Sequence, residues 1–265
     1  MTEAVGGAGR SALRVGAVVE AAIGGYTRSF GALLPMAAAA SLPRILDSLL
    51  GGRGIATTLA LGLGGGLLAC AMTIPACLVA DAALQKQPPL SLGETFGRSG
   101  PASRRFIRWA LATTPAFAGI VLVVVGGVAA AVFSNRLLGR AVGLAAWILV
   151  AAAAILAFRL LILWSLLGPV VAFEPAGEGS RPLFRSAQLI RPQFWRAACS
   201  WMALWVFGAP EAYLGYVGTN PQTHQITDRA VYWLGTAWGV LSLPLLWTGM
   251  VAIYRGLRGA SGTGA

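Results

Sequence analysis

Between Ala141 and Phe173 the chain runs for about thirty almost unbroken apolar residues, interrupted by a single charge, Arg159. A soluble core has no use for a run of that length, whereas a bilayer needs about 20 residues for each helical span. The run ends abruptly at Glu174-Pro175-Ala176-Gly177-Glu178-Gly179, passes through Arg181-Pro182-Leu183-Phe184-Arg185-Ser186, and turns apolar again at Phe194-Trp195-Arg196. This stretch reads as membrane span, polar turn and membrane re-entry, and it makes the chain an integral membrane protein.

Composition agrees. Of 265 residues, 57% are hydrophobic and 11% are charged, under half the charged share of about 25% in soluble domains. The 35 glycines suit close helix approach in lipid. A net charge of +11 raises the question of nucleic acid, but no basic run and no aromatic-basic interleaving accompanies it. The excess charge fits the arginines of loops on the cytoplasmic side. No nucleic-acid partner is expected.

Hydropathy places six spans, at about residues 30–50, 55–80, 109–133, 141–173, 194–217 and 230–254, within one membrane domain covering 11–258. Residues 1–10 and 259–265 are small, glycine-rich and expected to be flexible. No cleavable signal peptide is expected, because the first span starts too late for one. Ahead of that span, Val15, Val18, Val19, Ala22, Ile23, Tyr26 and Phe30 recur at helical spacing, with Arg14, Glu20, Arg28 and Ser29 off the stripe. The pattern predicts an amphipathic helix lying in the headgroup plane. After the fourth span, Leu183, Phe184, Ala187 and Ile190 form a second such stripe, with Arg181, Arg185, Gln188 and Arg191 elsewhere. The expected fold is therefore all-α, with six transmembrane helices and two short interfacial ones.

Helix punctuation is readable in places. Ser91-Leu92-Gly93-Glu94 fits a capping box and Pro101 a helix first turn; Thr227 or Asp228 fits the start of the last helix. Gly62 to Gly66 only superficially resembles a phosphate loop, since no Lys-Ser/Thr follows, and close helix packing is the better reading. Fourteen basic residues fall on the side of the N-terminus, the 81–108 and 174–196 segments and the C-terminus, against five on the other side. With short loops, this asymmetry puts both termini in the cytoplasm of a bacterial inner membrane.

Three stretches carry a family resemblance: Arg14 to Leu34 (RVGAVVEAAIGGYTRSFGALL), Arg159 to Trp195 (RLLILWSLLGPVVAFEPAGEGSRPLFRSAQLIRPQFW) and Leu243 to Arg258 (LPLLWTGMVAIYRGLR). Together they resemble the membrane domain associated with glycerophosphoryl diester phosphodiesterases, and related six-span bacterial membrane proteins of unknown function. The resemblance implies a membrane domain whose hydrolase activity, where there is one, belongs to a separate soluble domain. Arg28-Ser29 stands here where that pattern has Arg-Asn, and no acidic residue precedes Leu257.

The residues offer little chemistry. Nine acids and one histidine, His224, do not assemble a metal-dependent phosphodiester site, and no nucleophile-base-acid set is visible. Glu174 and Glu178 share their loop with arginines and read as a solvated salt-bridge cluster. Cys70, Cys77 and Cys199 lie in spans and read as packing residues. No cofactor, metal or catalytic residue is expected.

Three features stand above that background. Every span holds an interior proline: Pro35, Pro75, Pro115, Pro169, Pro210 and Pro244. Each removes a backbone donor and bends its helix, and four of the bends lie near one boundary, where they either open a vestibule or reflect the ordinary use of proline in membrane helices. Arg181, Arg185, Ser186, Arg191 and Trp195 are the candidate interfacial group, with Ser186 bonding back to the span, Trp195 at headgroup depth and the arginines meeting anionic lipid. Arg159 lies about 21 Å in from Phe173 and Glu211 about 26 Å in from Phe194, at 1.5 Å per residue. An arginine at helix centre costs roughly 2.5–3.5 kcal/mol on insertion scales. Arg159 is therefore expected either to pair with Glu211 or to snorkel to the outer headgroups, with Asp47 a third choice. Two functions fit: a non-catalytic membrane subunit or scaffold packed against a partner protein, or a carrier or pore for a small or amphiphilic molecule.

Overall fold

The computed structural model describes residues 13–50, 54–88, 90–137, 140–174, 181–219 and 226–262. Among them the structure is all-helical: α1 (Val15–Leu50), α2 (Gly54–Leu84), α3 (Leu92–Leu137), α4 (Arg140–Trp164), α5 (Leu167–Phe173), α6 (Pro182–Ile190), a 3-10 turn (Arg191–Gln193), α7 (Phe194–Val217) and α8 (Arg229–Gly262). Four stretches are long and apolar enough to cross a membrane: Val15–Leu46, Gly64–Leu84, Gly143–Phe173 and Arg229–Gly259. The expected connection at 51–53, the polar turn at 175–180, His224 and the chain ends fall outside the described residues.

The long helices alternate in direction. Arg28 near the start of α1 reaches the carbonyl of Ala83 at the end of α2, while Pro43 lies over Gly65 at their other ends. Gly127 of α3 faces Val150 of α4, and Leu204 and Glu211 of α7 face Gly249 and Gly239 of α8. One end of the bundle thus collects the starts of α1, α3 and α7 and the ends of α2, α5 and α8; it is called the basic end below.

The largest buried cluster lies toward that end. It joins Leu13, Val18 and Ala22 of the α1 region, Ile162, Leu163 and Leu166 around the end of α4, Ala187 and Ile190 of α6, and Ile253, Tyr254 and Leu257 of α8. A second cluster packs Leu33, Met36 and Ala37 of α1 against Ala76 and Val79 of α2 and Trp247 of α8. Close approach between α1 and α8 depends on Gly25, where an added Cβ would fall 2.6 Å from the Thr248 methyl.

Several expectations are corrected. The first amphipathic segment is not a separate interfacial helix but the opening of α1, which continues without a break through Pro35 and Pro43. Part of its stripe is covered by protein: Val18 and Ala22 lie in the same core as Tyr254 and Leu257, while Ile23 is exposed. The fourth span is not one continuous helix from 141 to 173. Pro169 has no N–H for the carbonyl four residues back, and the helix breaks at Ser165-Leu166 before restarting as α5 with Pro169 in its first turn, where proline is tolerated. The 81–108 segment is mostly helix. Ser91 Oγ accepts from the Glu94 backbone N–H at 3.3 Å, the first half of the expected capping box. The Glu94 carboxylate pairs instead with Arg98. With Ser91 as the start, Pro101 falls inside α3 rather than in a first turn. Asp228 caps α8, its Oδ1 accepting from the Val231 N–H at 3.1 Å. α8 then runs on to Gly262, past the expected start of a flexible tail.

The second amphipathic segment is a separate short helix, α6, whose Pro182, Ser186, Ala187, Leu189 and Ile190 are buried. Phe184, expected on the apolar stripe, is instead 54% exposed.

Candidate functional site

The polar groups of the basic end converge on Glu174, the first residue after α5. Its carboxylate accepts from Arg185 Nε at 3.2 Å and from the Tyr254 hydroxyl at 3.4 Å. Arg258, one turn further along α8, donates to that same hydroxyl at 3.3 Å. The Glu174 side chain is only 14% exposed, so the solvated cluster expected from sequence is a partly buried network. From α3, Arg105 donates to the carbonyls of Val171 at 2.5 Å and Glu174 at 2.8 Å. A guanidinium there satisfies carbonyls left orphaned at a helix C-terminus and complements its dipole. Phe173 stacks on Tyr254 with ring centroids 5.6 Å apart. Arg105, Glu174, Arg185 and Tyr254 thereby tie α3, α5, α6 and α8 together.

Neighbouring ties complete this end. Arg255 of α8 pairs with Asp81 of α2. The Leu13 backbone N–H donates to Gln193 Oε1 at 2.8 Å, holding the start of α1 to the 3-10 turn. Ser186 is fully buried, and its hydroxyl donates to the Leu163 carbonyl at 2.6 Å. That carbonyl lies in the last turn of α4, where the break ends regular helix bonding. The break in the fourth span and the docking of α6 are thus one arrangement.

The candidate interfacial residues therefore separate. Ser186 and Arg185 are internal ties, and Arg185 is committed to Glu174 rather than free for lipid. Arg181, Arg191 and Trp195 are exposed, Trp195 at 71%.

The pair expected between Arg159 and Glu211 gives way to another. Glu211 forms its ion pair with Arg44 of α1, at the end of the bundle opposite Glu174. Gly239 makes room for it, since a Cβ there would lie 2.5 Å from the Glu211 carboxylate carbon. Arg159 lines a groove of about 530 Å³ with Arg191, Gln193, Phe194, Trp195 and Arg196. It is therefore level with the start of α7, while Glu211 lies seventeen residues further along that helix, about 25 Å away at 1.5 Å per residue. The physical reason is the break after Trp164. Depth counted along one straight helix from Phe173 put Arg159 past mid-membrane, whereas it stands only about 8 Å from the break. Its neighbours in that groove belong to the 3-10 turn and the start of α7, toward the basic end. The side chain of Asp47, the third choice, lies outside the described residues.

A second, apolar groove of about 660 Å³ adjoins the first, with Phe158 lining both; Leu161, Trp164, Trp201, Met202 and Trp205 form much of its wall. None of Pro35, Pro75, Pro115, Pro169, Pro210 and Pro244 lines either groove. All six sit inside helices, and among these cavities there is no proline-lined vestibule. Among the described residues no group of three or more His, Cys, Asp or Glu side chains is placed to hold a metal ion.

Sequence reasoning passed over Arg105, Tyr254, Gln193 and the Asp81–Arg255 pair. Arg105 was hidden in a run with Arg98, Arg104 and Arg108 that reads as ordinary loop charge. Tyr254 had a weak signal, being a polar aromatic in the last stretch of the resemblance. Comparison of the chain with protein-family models, with curated proteins and with solved structures gave no match in any of the three.

Proposed function

We propose that the chain is a non-catalytic integral membrane protein of a bacterial inner membrane, a subunit or scaffold that packs against a partner protein. The observation that carries this reading is the use to which the charges of the basic end are put. Glu174, Arg185, Arg105, Asp81 and Arg255 are spent on joining helix ends to one another. Such an arrangement builds a stiff platform rather than an open reaction site.

Six crossings belong to the same reading. Four stretches meet the length and hydropathy of a span, and the alternation of α3 with α4 and of α7 with α8 favours crossings by α3 and α7 as well. Arg196, Glu211 and the aromatic and small residues of α7 lower its hydropathy without shortening it below 24 residues, about 36 Å at 1.5 Å per residue. The excess of arginine at the basic end supports a cytoplasmic position for it and both termini, facing anionic lipid headgroups. The likeness to the membrane domain of glycerophosphoryl diester phosphodiesterases fits too: residues from its three stretches, such as Val18, Leu163 and Tyr254, meet in one core.

Purification from the native membrane in mild detergent, with chemical cross-linking and identification of what co-purifies, tests the proposal. A stoichiometric protein partner, lost in Glu174→Ala, is the expected result. A chain that purifies alone and moves an amphiphile across proteoliposomes would replace the scaffold by the carrier reading, which the paired grooves favour.

A further inference from the structure

The two grooves on the flank between α4 and α7 have complementary chemistry. The first carries three guanidiniums, on Arg159, Arg191 and Arg196, and no carboxylate among its lining residues. All three arginines are exposed, and no protein acceptor faces them among the described residues. They differ in this from Arg105, Arg185, Arg255 and Arg258 of the basic end, each of which has one. The second groove is walled by Leu161, Ile162, Trp201, Met202, Trp205 and Val206, and it begins where the first ends, at Phe158.

Within the stretch Gly143–Phe173 an 18-residue window has a mean hydropathy of 2.5, the highest among the candidate spans, and 17% of that window is buried, the smallest share among them. Ile155, Leu156 and Leu161 are exposed along it, and Arg159 is the charge they flank. A guanidinium among exposed apolar side chains of a span needs an anion, and the bilayer supplies one attached to hydrocarbon.

We infer that this flank is a binding site for one anionic phospholipid, its phosphodiester held by Arg159, Arg191 and Arg196 and one acyl chain lying in the groove of Phe158, Trp201 and Trp205. Guanidiniums match phosphate oxygens in fork geometry, and an apolar groove beside them selects a phosphate that carries a chain over a free one. This site is distinct from the general attraction of a basic face to anionic lipid and does not depend on the scaffold reading.

The test uses the full chain in dodecyl maltoside with equimolar dioleoyl-phosphatidylglycerol and dioleoyl-phosphatidylcholine, bound lipid being counted by native mass spectrometry. One phosphatidylglycerol per chain, retained at least tenfold over phosphatidylcholine, is expected. The triple variant Arg159→Gln, Arg191→Gln, Arg196→Gln should lose that preference, while Arg14→Gln, Arg104→Gln, Arg108→Gln, with the same change in charge, keeps it. Ala209→Trp fills the apolar groove without touching an arginine and should lower retention severalfold. A hundredfold excess of glycerol phosphate should not displace the lipid. Equal retention of the two lipids, equal loss in both triple variants, or displacement by glycerol phosphate would each overturn the inference. If the first triple variant aggregates, the lipid preference of the unaltered chain and the Ala209→Trp result decide it.

Discussion

Glu174 is the residue on which the basic end turns, because its carboxylate serves two helices and its carbonyl a third. Replacing it by Gln keeps the shape but removes the charge that Arg185 and Tyr254 address. Hydrogen bonds to charged groups contribute roughly 1.5–3 kcal/mol, reduced here because the Arg185 side chain is 39% exposed. We expect Glu174→Gln to cost about 1–2 kcal/mol, read as a lowered thermal midpoint in detergent. Tyr254→Phe keeps the stack on Phe173 and should cost less. A variant as stable as the parent would show that the network merely decorates the helix ends.

The ion pair at the opposite end makes a different prediction at the same scale. Arg44, Glu211 and Gly239 form one unit: the pair is partly exposed, and the glycine supplies its space. Arg44→Gln should cost about 1 kcal/mol, as partly exposed pairs do. Gly239→Ala should displace the carboxylate and lose the same interaction, so the double variant should be clearly less destabilised than the sum of the two. Additive losses would mean that Gly239 acts only through helix packing.

Among the elements, the ends of α2 and α4 carry the information. After Leu84 the chain closes with a bond from the Gln87 N–H to the Ala82 carbonyl, 2.9 Å, and Lys86 takes φ 56°. This is the left-handed closing residue of a Schellman motif, a place where glycine is the usual occupant. Lys86→Gly is expected to hold or raise the thermal midpoint, by up to about 1 kcal/mol of stability. A clear loss would show that the lysine side chain has a contact of its own. At the end of α4, Ser186→Ala leaves the Leu163 carbonyl without its hydroxyl donor in a fully buried place. A loss of about 1–3 kcal/mol is expected, with faster proteolysis around α6. Unchanged stability and proteolysis would show that α6 docks through apolar contact alone.

These same elements mark how far the fold was legible. Apolar run length located the bundle helices, and Ser91 and Asp228 were readable as caps because capping is local chemistry. The break at Ser165-Leu166 was not read, although Pro169 stood in plain view. Proline removes one bond anywhere in a helix, and whether the helix bends or stops depends on a tertiary donor for the carbonyls it leaves, here the Ser186 hydroxyl, which meets the Leu163 carbonyl from twenty-three residues on. Missing that break misjudged the depth of Arg159 and hence its supposed partner. The opening stripe of α1 was read correctly as a face, but a helical stripe does not say whether lipid headgroups or α8 will cover it. The Glu174 network was partly visible, in Glu174 and Arg185; Arg105 of α3 and the Tyr254–Arg258 pair of α8 come from helices far from it in sequence, and no local spacing joins them to it.

For the whole molecule, the proposed orientation has the helices alternating between two faces, with the starts of α1, α3 and α7 and the ends of α2, α5 and α8 together on the cytoplasmic side. Cysteine accessibility tests it most directly, in a background with Cys70, Cys77 and Cys199 replaced by Ala and single cysteines introduced at Lys86, Arg258 and Thr219. With a membrane-impermeant maleimide, Thr219→Cys should label in intact cells, while Lys86→Cys and Arg258→Cys should label only after the cytoplasmic face is opened. Labelling of Lys86→Cys in intact cells, or of Lys86→Cys and Thr219→Cys from the same side, would contradict the account.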